Sequence, residues 1–522
     1  MTNFQRKLKK RRQLFKKTST FNSSREKRVE MTVKLSRSKR DEQLRKKRNI
    51  IQSLKNNEQN MFDYEDTTIP PIEKLGFFVE GVKSNDYNNQ LEHTHAIRMI
   101  LSSETNAPIE KVIRSGVAKE FIKFLDMNQK AELQFEAAWA LSNLCSGSSR
   151  QTKAIVRLGV IPKFVDLLES NDIDICEQAI WGLANIAGDS VELRNLVLKE
   201  KNVVQLIGLI FTHEKITNDI GKTAAWTLSN LVQGKPSPKL SLVKGAIPIF
   251  TRLLINNDIE FVFEACFGLS NICTAESIDL ILDSGCVATF VDYLSHSDYR
   301  LKKPALRIIS TIVSGNHKQT QQVLELGCLE HLKELLDDPN KFIRREVVWA
   351  ISNIMGGNIE QISQVIRIGI VPKLFKMFKN EEITIKNETI WAISNAMYEG
   401  NDKQIRYLIA QGAVEMFCKS FYNMNKIDII EVALDSILKI LRHNDGYMER
   451  NNETENKIVI EIEELECIKF IDILQNHQNQ KIRSVATTIS EEYLSQQNQN
   501  ETELFSNQTN SNRSNQQREY KF

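Results

Sequence analysis

The chain has 522 residues, of which 41% are hydrophobic and 26% charged. This balance is typical of globular proteins, and the length suits several domains or one long repeat array. The sequence contains no run of eighteen apolar residues, so we expect no membrane-spanning helix. Basic residues near the N-terminus are followed by no apolar signal-peptide core, and the eight cysteines include no Cys-x-x-Cys pair. We therefore expect a reducing compartment, the cytosol or the nucleus, with the cysteines acting as small buried hydrophobic residues.

The charges are distributed unevenly along the chain. Residues 1–48 contain 19 Lys and Arg against 4 Asp and Glu, whereas the remainder contains 50 against 62. The basic N-terminal arm (1–50) and the acidic remainder should therefore attract each other.

The arm is compatible with three interpretations: a solvated basic helix, a nucleic-acid-binding tail or a segment that binds a protein partner. Acidic residues are interspersed in 27–49, no aromatic residue is available to stack on bases, and apolar residues are spaced as on one helix face. These features favour a protein partner. The apolar residues are Val29, Val33 and Leu44.

Two other segments lack the composition of a packed core. Residues 51–73 form a polar linker with an acidic patch and a Pro-Pro pair, and residues 497–522 form a tail rich in Gln, Asn and Ser. We expect both to be disordered.

Between them, residues 74–496 carry a repeating pattern. A tryptophan followed four residues later by an asparagine recurs in apolar stretches such as EQAIWGLANIAGD, and this pattern accounts for all five tryptophans. Successive tryptophans are separated by 42, 45 and 42 residues where the copies are adjacent, and two further copies place Phe267 and Arg307 at the tryptophan position. The tryptophans are Trp139, Trp181, Trp226, Trp349 and Trp391.

A second marker, a glycine followed by an apolar helix, runs alongside, as in LGVIPKFVDLL and IGIVPKLFKMF. We expect this glycine to end one helix in the left-handed region before the next helix begins. Each unit of about 42 residues is then a short helix, an amphipathic helix, a polar turn and a longer helix. One unit cannot bury its apolar faces, so we expect about ten to stack into an all-α, right-handed superhelical solenoid.

The tryptophan and asparagine lie one turn apart on one helix face. In a stacked core, each carboxamide without a partner would cost about 1 to 3 kcal/mol. Five pairs in register therefore favour an accessible ladder that binds an extended peptide, with amides on its main chain and aliphatic stems between the rings. Acids for ligand ammonium groups stand near each step, so the expected ligand is rich in lysine. These acids are Glu136, Asp189, Glu264, Glu346 and Glu388.

Repeats with such Trp-x-x-x-Asn ladders resemble the armadillo repeats of the importin-α family of nuclear import adaptors, over nearly the whole chain. The resemblance implies two binding sites for lysine- and arginine-rich nuclear localisation signals. The major site would comprise Trp139, Asn143, Gly147, Thr152, Trp181, Asn185, Asp189, Trp226 and Asn230. The minor site would comprise Arg307, Glu346, Trp349, Asn353, Glu388, Trp391 and Asn395.

The arm resembles the family's importin-β-binding domain, with an upstream basic segment RRQLFKK at 11–17. In the family a basic cluster at the end of the arm mimics cargo and inhibits the groove, which here implies Lys46, Lys47 and Arg48. The implied partners are cargo proteins, importin-β, an export receptor that recycles the adaptor, and nuclear pore components. The implied location is both cytoplasm and nucleus, with shuttling. The C-terminal stretch IEIEELECIKFIDIL resembles the region that the export receptor grips, or is a capping repeat with a polar outer face.

Thr311 and Phe267 depart from the family pattern, as does Gln233, where animal relatives have arginine. A catenin-like armadillo scaffold and a nucleic-acid-binding solenoid remain alternatives, although the first would favour a basic groove and the second basic repeats. We expect no direct nucleic acid or membrane partner. No enzyme motif is complete: the GKT at 221–223 lacks the upstream glycine of a phosphate loop, and His93 and His95 are two residues apart. We therefore expect neither catalysis nor a metal or other cofactor.

Overall fold

A computed structural model describes residues 69–102, 107–423, 426–452 and 455–494. The basic arm, most of the linker and the Gln/Asn/Ser-rich tail lie outside these residues. Helices connected by short turns make up the described part of the chain, which contains no β-strand. The expectation of an all-α protein is confirmed.

The described residues form two compact units, unit 1 up to Cys286 and unit 2 from Val287 onward. In unit 1, a 3-10 turn at Ile72–Lys74 precedes fifteen described helices. They are α1 (Leu75–Val82), α2 (Tyr87–Leu101), α3 (Ile109–Arg114), α4 (Ala118–Phe124), α5 (Ala131–Leu144), α6 (Ser149–Val156), α7 (Val160–Leu167), α8 (Ile173–Asp189), α9 (Val191–Val197), α10 (Val203–Ile210), α11 (Asn218–Val232), α12 (Leu240–Val243), α13 (Ala246–Leu253), α14 (Ile259–Ile272) and α15 (Ile278–Asp283).

Unit 2 continues the pattern and ends with a short π-helical turn at Ser490–Leu494. Its described helices are α16 (Val287–Tyr293), α17 (Tyr299–Val313), α18 (His317–Glu325), α19 (Cys328–Leu335), α20 (Lys341–Met355), α21 (Ile359–Arg367), α22 (Ile370–Asn380), α23 (Ile383–Glu399), α24 (Asp402–Ala410), α25 (Ala413–Ser420), α26 (Ile427–Asn451), α27 (Lys457–Glu464), α28 (Cys467–Leu474) and α29 (Gln480–Ile489). A 3-10 turn at Phe421–Asn423 follows α25.

The long helices of each unit pack on one another in chain order. In unit 1, α2 contacts α5, α5 contacts α8, α8 contacts α11 and α11 contacts α14; in unit 2 the series is α17, α20, α23, α26 and α29. Phenylalanines from the shorter helices fill the spaces beneath them, and Phe121, Phe164 and Phe250 are fully buried. Each repeat therefore completes its core only with its neighbours, as expected for a repeat array.

Side-chain caps define where several long helices begin. The side chains of Asp86, Asp172, Thr217 and Asp258 each accept a hydrogen bond from a backbone N–H in the first turn of α2, α8, α11 and α14. Such caps satisfy donors that the helix itself leaves unpaired. They explain why each predicted polar turn ends where it does.

The marker glycine behaves as predicted at six positions and differs at Gly245. Gly116, Gly159, Gly285, Gly327, Gly369 and Gly412 have positive φ, whereas Gly245 has φ −63°. The turn before α10 contains no glycine at all, and Asn202 adopts the left-handed conformation there with φ 62°. Asparagine tolerates this region better than other non-glycine residues, so the repeat that lacked the marker keeps its turn.

Asn-x-x-Gln capping boxes link consecutive repeats in unit 2. They open α18, α21 and α24, with Asn316, Asn358 and Asn401 as the cap residues. The glutamine also reaches the preceding repeat, since Gln361 Nε2 donates to the carbonyl of His317 and Gln404 Nε2 to that of Ile359, each at 2.8 Å. One side chain thus caps its own helix and fixes the spacing to its neighbour.

All eight cysteines are buried and unbridged, as expected of small hydrophobic residues. Among the described residues, no helix has the length and hydropathy needed to cross a membrane. The same residues bring together no group of three or more His, Cys, Asp or Glu side chains that could hold a metal ion.

Candidate functional site

The tryptophans and asparagines of unit 1 lie on three consecutive long helices. Each tryptophan is half-buried, while the residues immediately before and after it along the helix are buried. The tryptophans therefore lie on the one stripe of each helix that is not packed into the core. We call Trp139 and Asn143 on α5, Trp181 and Asn185 on α8, and Trp226 and Asn230 on α11 the unit 1 ladder.

The asparagines of the ladder are more buried than we expected. Asn143, Asn185 and Asn230 are only 8%, 3% and 5% exposed. Each donates from Nδ2 to the preceding long helix: Asn143 to Ser102 Oγ at 3.2 Å, Asn185 to the Ser142 carbonyl at 3.1 Å, and Asn230 to the Ala184 carbonyl at 3.2 Å. Burial of an unpaired carboxamide is costly, but these bonds offset much of that cost. The asparagines thus join repeats as well as lining the ladder.

The acceptor side of these amides differs along the ladder. Asn230 Oδ1 accepts a 2.7 Å hydrogen bond from Gln233 Nε2, so Gln233 stabilises the last step from within. Asn185 Oδ1 is buried and has no hydrogen-bond partner. A buried acceptor without a donor is costly and rare, and it marks the middle step as the place where an added N–H would be stabilising.

Two of the tryptophan rings in the unit 1 ladder contact each other. The ring centroids of Trp181 and Trp226 are 5.5 Å apart with the planes tilted by 57°, and Phe135 packs edge-on against Trp139. An alkyl stem between two rings needs roughly 7 to 8 Å, since each contact takes about 3.5 to 4 Å. The expected gap for a stem between Trp181 and Trp226 is therefore closed in this structure.

Glu136 does not have the place that its spacing suggested. Its carboxylate accepts hydrogen bonds from Arg98 Nε at 2.7 Å and from Arg98 Nη2 at 2.9 Å. His95 Nδ1 lies 2.9 Å from the Glu136 Oε1 atom. Burial alone would raise the pKa of Glu136, but the hydrogen bonds from His95 and Arg98 outweigh it and lower the pKa to about 2. The expectation that Glu136 serves ligand ammonium groups is wrong, because this charge is already neutralised inside the fold.

Asp189 lies at the end of α8, Gly147 in the turn before α6, and Thr152 within α6. Asp189 closes α8 and accepts a 2.8 Å hydrogen bond from Ser149 Oγ at the start of α6. Thr152 is fully buried, and its hydroxyl donates to the carbonyl of Cys145 at 3.0 Å. Gly147 lies in the turn between α5 and α6. Asp189 supplies the negative charge of this corner, whereas Thr152 stabilises the turn from behind.

Phe267 and Asn271 occupy the next tryptophan and asparagine positions, on α14, and their contacts differ from those of the unit 1 ladder. Phe267 stacks on Phe263 with the planes 21° apart, and the amide of Asn271 returns to its own helix at the Phe267 carbonyl, 3.1 Å away. Glu264, one turn before Phe267, is half-buried, and burial raises the pKa of this carboxyl to about 7. The Asn271 amide therefore bonds within α14, and the bridge from α11 to α14 is made instead by Ser229 Oγ, which donates to the Glu264 carbonyl at 3.1 Å.

The predicted minor-site residues of unit 2 lie on α17, α20 and α23. Arg307, Trp349 and Trp391 are half-buried. Asn395 Nδ2 donates to the Ser352 carbonyl at 2.8 Å, as in unit 1, but Asn353 Nδ2 returns to the Trp349 carbonyl at 3.1 Å. Thr311, which replaces an asparagine, likewise donates to its own helix at the Arg307 carbonyl. This series has only one amide that bridges two helices.

The acids of unit 2 are also half-buried. Glu388 Oε1 lies 3.5 Å from Arg345 Nη2, and burial raises the pKa of Glu388 despite this arginine. Glu346 is half-buried on α20, three residues before Trp349. The predicted autoinhibitory residues Lys46, Lys47 and Arg48 lie outside the described residues.

Two residues of this series, Arg98 and Ser102, are not among those that the Trp-x-x-x-Asn pattern singles out. They precede Trp139 and Asn143 by 41 residues each, so they stand at the tryptophan and asparagine positions of one further repeat on α2. The constant step was the signal that could have found them. This repeat is hard to recognise because a basic side chain replaces the aromatic one.

Comparison with known proteins extends these observations to the arm. Residues 11–95 match the importin beta binding domain, and residues 105–146, 148–188 and 316–356 match the armadillo/beta-catenin-like repeat. An engineered protein of known structure superposes with a TM-score of 0.66 at 24% identity, over 79% of this chain and 97% of its own, which is a likeness of fold alone.

Among characterised relatives, importin subunit alpha-1b of Oryza sativa subsp. japonica is 41% identical over 254 residues, or 48% of this chain and 47% of the relative. Importin subunit alpha-2 of Arabidopsis thaliana is 38% identical over 55% of this chain and 54% of its own length. The chain thus matches about half the length of these plant proteins. Importin subunit alpha-B of Dictyostelium discoideum is 41% identical over 512 residues, covering 96% of this chain and 98% of that protein. The chain belongs to the importin subunit alpha family.

Proposed function

We propose that the protein is a nuclear import adaptor that binds lysine- and arginine-rich localisation signals on the unit 1 ladder and links them to importin-β through its N-terminal arm. Family membership and the match of 11–95 to an importin beta binding domain support this role. The observation that carries the choice of site is Asn185. Its buried Oδ1 has no donor, on the same helix as half-buried Trp181 and acidic Asp189.

In this proposal the peptide lies extended across α5, α8 and α11. When the side chains around Asn185 move aside, a main-chain N–H of the peptide donates to Asn185 Oδ1, and this hydrogen bond fixes the peptide without reading its sequence. A lysine stem packs against Trp181 while its ammonium reaches Asp189, a contact that combines cation–π attraction with a charge-assisted hydrogen bond. Trp181 and Trp226 separate when a stem enters between them.

The basic cluster Lys46, Lys47 and Arg48 competes for the same ladder when importin-β is absent. A tethered segment has an effective concentration of order mM. A cluster with an intrinsic affinity of about 100 μM would then weaken cargo binding about tenfold by mass action. Importin-β removes this competition by holding the arm, so the two partners are coupled through one segment.

The unit 2 residues Arg307, Glu346, Trp349, Asn353, Glu388, Trp391 and Asn395 form a second, weaker site in this proposal. With a single bridging amide at Asn395, fewer side chains are held in place before the ligand arrives. An export receptor that recycles the adaptor and nuclear pore components complete the proposed partners, and the protein shuttles between cytoplasm and nucleus.

The test measures fluorescence anisotropy of a lysine-rich peptide and of duplex DNA against the full chain, over a series of salt concentrations. The proposal predicts that the peptide binds more tightly than DNA, and that Asp189→Asn weakens peptide binding about tenfold or more. Asp166→Asn removes the same charge from an exposed position on α7 and should change nothing. Binding of DNA in preference to the peptide would point to a nucleic-acid-binding solenoid, and preference for acidic peptides to a catenin-like scaffold.

A further inference from the structure

Arg98 stands where the repeat pattern would place one more tryptophan. It lies on α2, 41 residues before Trp139, and Ser102 lies 41 residues before Asn143. Asn143 Nδ2 donates to Ser102 Oγ, so α2 makes the same kind of bridge to α5 that α5 makes to α8. The series of bridged helices therefore continues to α2, where a cationic side chain replaces the aromatic ring.

The Arg98 side chain makes the contacts that a bound basic residue would make. Its guanidinium carbon lies 4.2 Å from the ring centroid of Trp139, and its Nε and Nη2 form a two-pronged ion pair with Glu136. Arg98 is only 5% exposed and Glu136 8%. A cation over an aromatic face and paired with a carboxylate is the arrangement expected of a basic ligand residue on this surface.

We propose that Arg98 is a built-in occupant of the ladder, which closes it at Trp139 and so limits how many basic residues of a bound peptide are recognised. The inference rests on the proposed function and deepens it. Arg98 reaches Trp139 from α2, whereas the peptide reaches Trp139 from the side of α8. A peptide residue that extends past Trp139 therefore meets a ring face and a carboxylate, that of Glu136, which Arg98 already occupies. Arg98 is a specificity-determining residue in this account.

Removing Arg98 should create one additional site for a basic residue. Trp139 would then present the face that Arg98 covers, and Glu136 would lose its main partner while His95 stays within 2.9 Å of its Oε1. A ligand lysine that reaches this point restores the missing cation. The substitution that removes an interaction inside the protein thus strengthens binding of a longer ligand.

The experiment uses the full chain and three fluorescein-labelled peptides. The parent peptide has a central lysine cluster flanked by alanine and serine, and two longer peptides carry one further lysine beyond either the N-terminal or the C-terminal end. The two longer peptides have equal net charge, so non-specific attraction to the acidic repeats affects both alike. Anisotropy gives the affinity of each longer peptide relative to the parent, a ratio in which competition by the arm cancels.

For the unmodified chain we expect neither added lysine to improve binding beyond about twofold. For Arg98→Ala we expect about a tenfold gain from the lysine at one end only, the end that reaches Trp139. Arg98→Lys keeps a cation in place and should give no gain, and Arg114→Ala, which removes an exposed arginine on α3, should behave like the unmodified chain. Failure of every peptide to bind the unmodified chain would instead overturn the proposed function.

The inference is overturned if the unmodified chain already gains from one end as much as Arg98→Ala does, if both ends gain equally, or if Arg98→Ala binds the parent peptide and gains nothing. Circular dichroism melting shows whether Arg98→Ala folds with a buried Glu136 that has lost its arginine. Should it not fold, Arg98→Ala with Glu136→Gln opens the ring face without a buried charge. We expect about a threefold gain from the same end in this double variant, and no gain would overturn the inference.

Discussion

Asn185 donates from Nδ2 to the carbonyl of Ser142 on the preceding long helix, at 3.1 Å, while its Oδ1 is buried without a partner. One side of the amide therefore holds two repeats together, and the other side is fixed in position before any ligand arrives. Fixing a polar group in advance lowers the entropy cost of binding.

The first prediction is that Asn185→Ala weakens binding of a lysine-rich peptide about tenfold or more, because the main-chain hydrogen bond and the alignment of α8 are both lost. Asn271→Ala is the matched control, since the Asn271 amide donates to its own helix at Phe267. Anisotropy titrations of both variants decide the matter. Equal losses in the two variants would mean that the amide has no special role at Asn185.

The second prediction concerns the arm. Replacing Lys46, Lys47 and Arg48 together by alanine should strengthen peptide binding about tenfold, because the tethered competitor is removed. Replacing Arg12, Lys16 and Lys17 changes the charge by the same amount and should leave peptide affinity nearly unchanged. Isothermal titration calorimetry at one fixed salt concentration measures both. If the two triple variants strengthen binding equally, only overall charge matters.

The third prediction is a pH dependence of stability from Glu264. Burial raises its pKa from the ordinary 4.5 to about 7, so between these pH values the folded state binds more protons than the unfolded state. The contribution of Glu264 to stability is therefore complete below pH 4.5 and is lost as pH rises through 7. Glu264→Gln should raise the free energy of unfolding at pH 8 by about 1 to 3 kcal/mol, and change it little at pH 4.

Urea unfolding followed by circular dichroism at both pH values measures this difference. Glu276→Gln, at an exposed position after α14, is the control and should have no effect at either pH. A Glu264→Gln effect of the same size at pH 4 and pH 8 would contradict the raised pKa.

The fourth prediction tests the packing beneath the ladder. A Cβ atom at Gly182, next to Trp181 on α8, would lie 2.3 Å from Phe164 Cε2, so Gly182→Ala should destabilise the protein by about 1 to 3 kcal/mol. Gly76→Ala in α1 meets no atom within 4 Å and should be neutral or stabilise by about 0.5 to 1 kcal/mol, since alanine favours helices. Melting temperatures of the two variants should therefore move in opposite directions or differ clearly in size.

Much of this architecture could be predicted from the sequence because the repeat has a fixed step. The Trp and Gly registers locate the long helices and most turns. The turn at Asn202 is not located in this way, because asparagine replaces glycine there. The partners of charged side chains could not be predicted in the same way. Glu136 stands at a regular position, yet Arg98 from another repeat neutralises it, and sequence spacing within one repeat carries no information about contacts between repeats.

The burial of the asparagines was underestimated for a related reason. Buried amides are costly only when they lack partners, and here the carbonyls of Ser142 and Ala184 on adjacent helices accept their hydrogen bonds. The closed contact between Trp181 and Trp226 likewise depends on how two helices pack, which a periodic pattern does not determine.

The central claim is that one segment, the basic arm, couples cargo binding to importin-β binding. The most direct measurement is the affinity of a fluorescein-labelled lysine-rich peptide for the full chain, first alone and then with saturating importin-β. We predict about tenfold tighter peptide binding with importin-β, and no such change once Lys46, Lys47 and Arg48 are replaced by alanine. Peptide affinity that is unchanged or weakened by importin-β in the unmodified chain would contradict it.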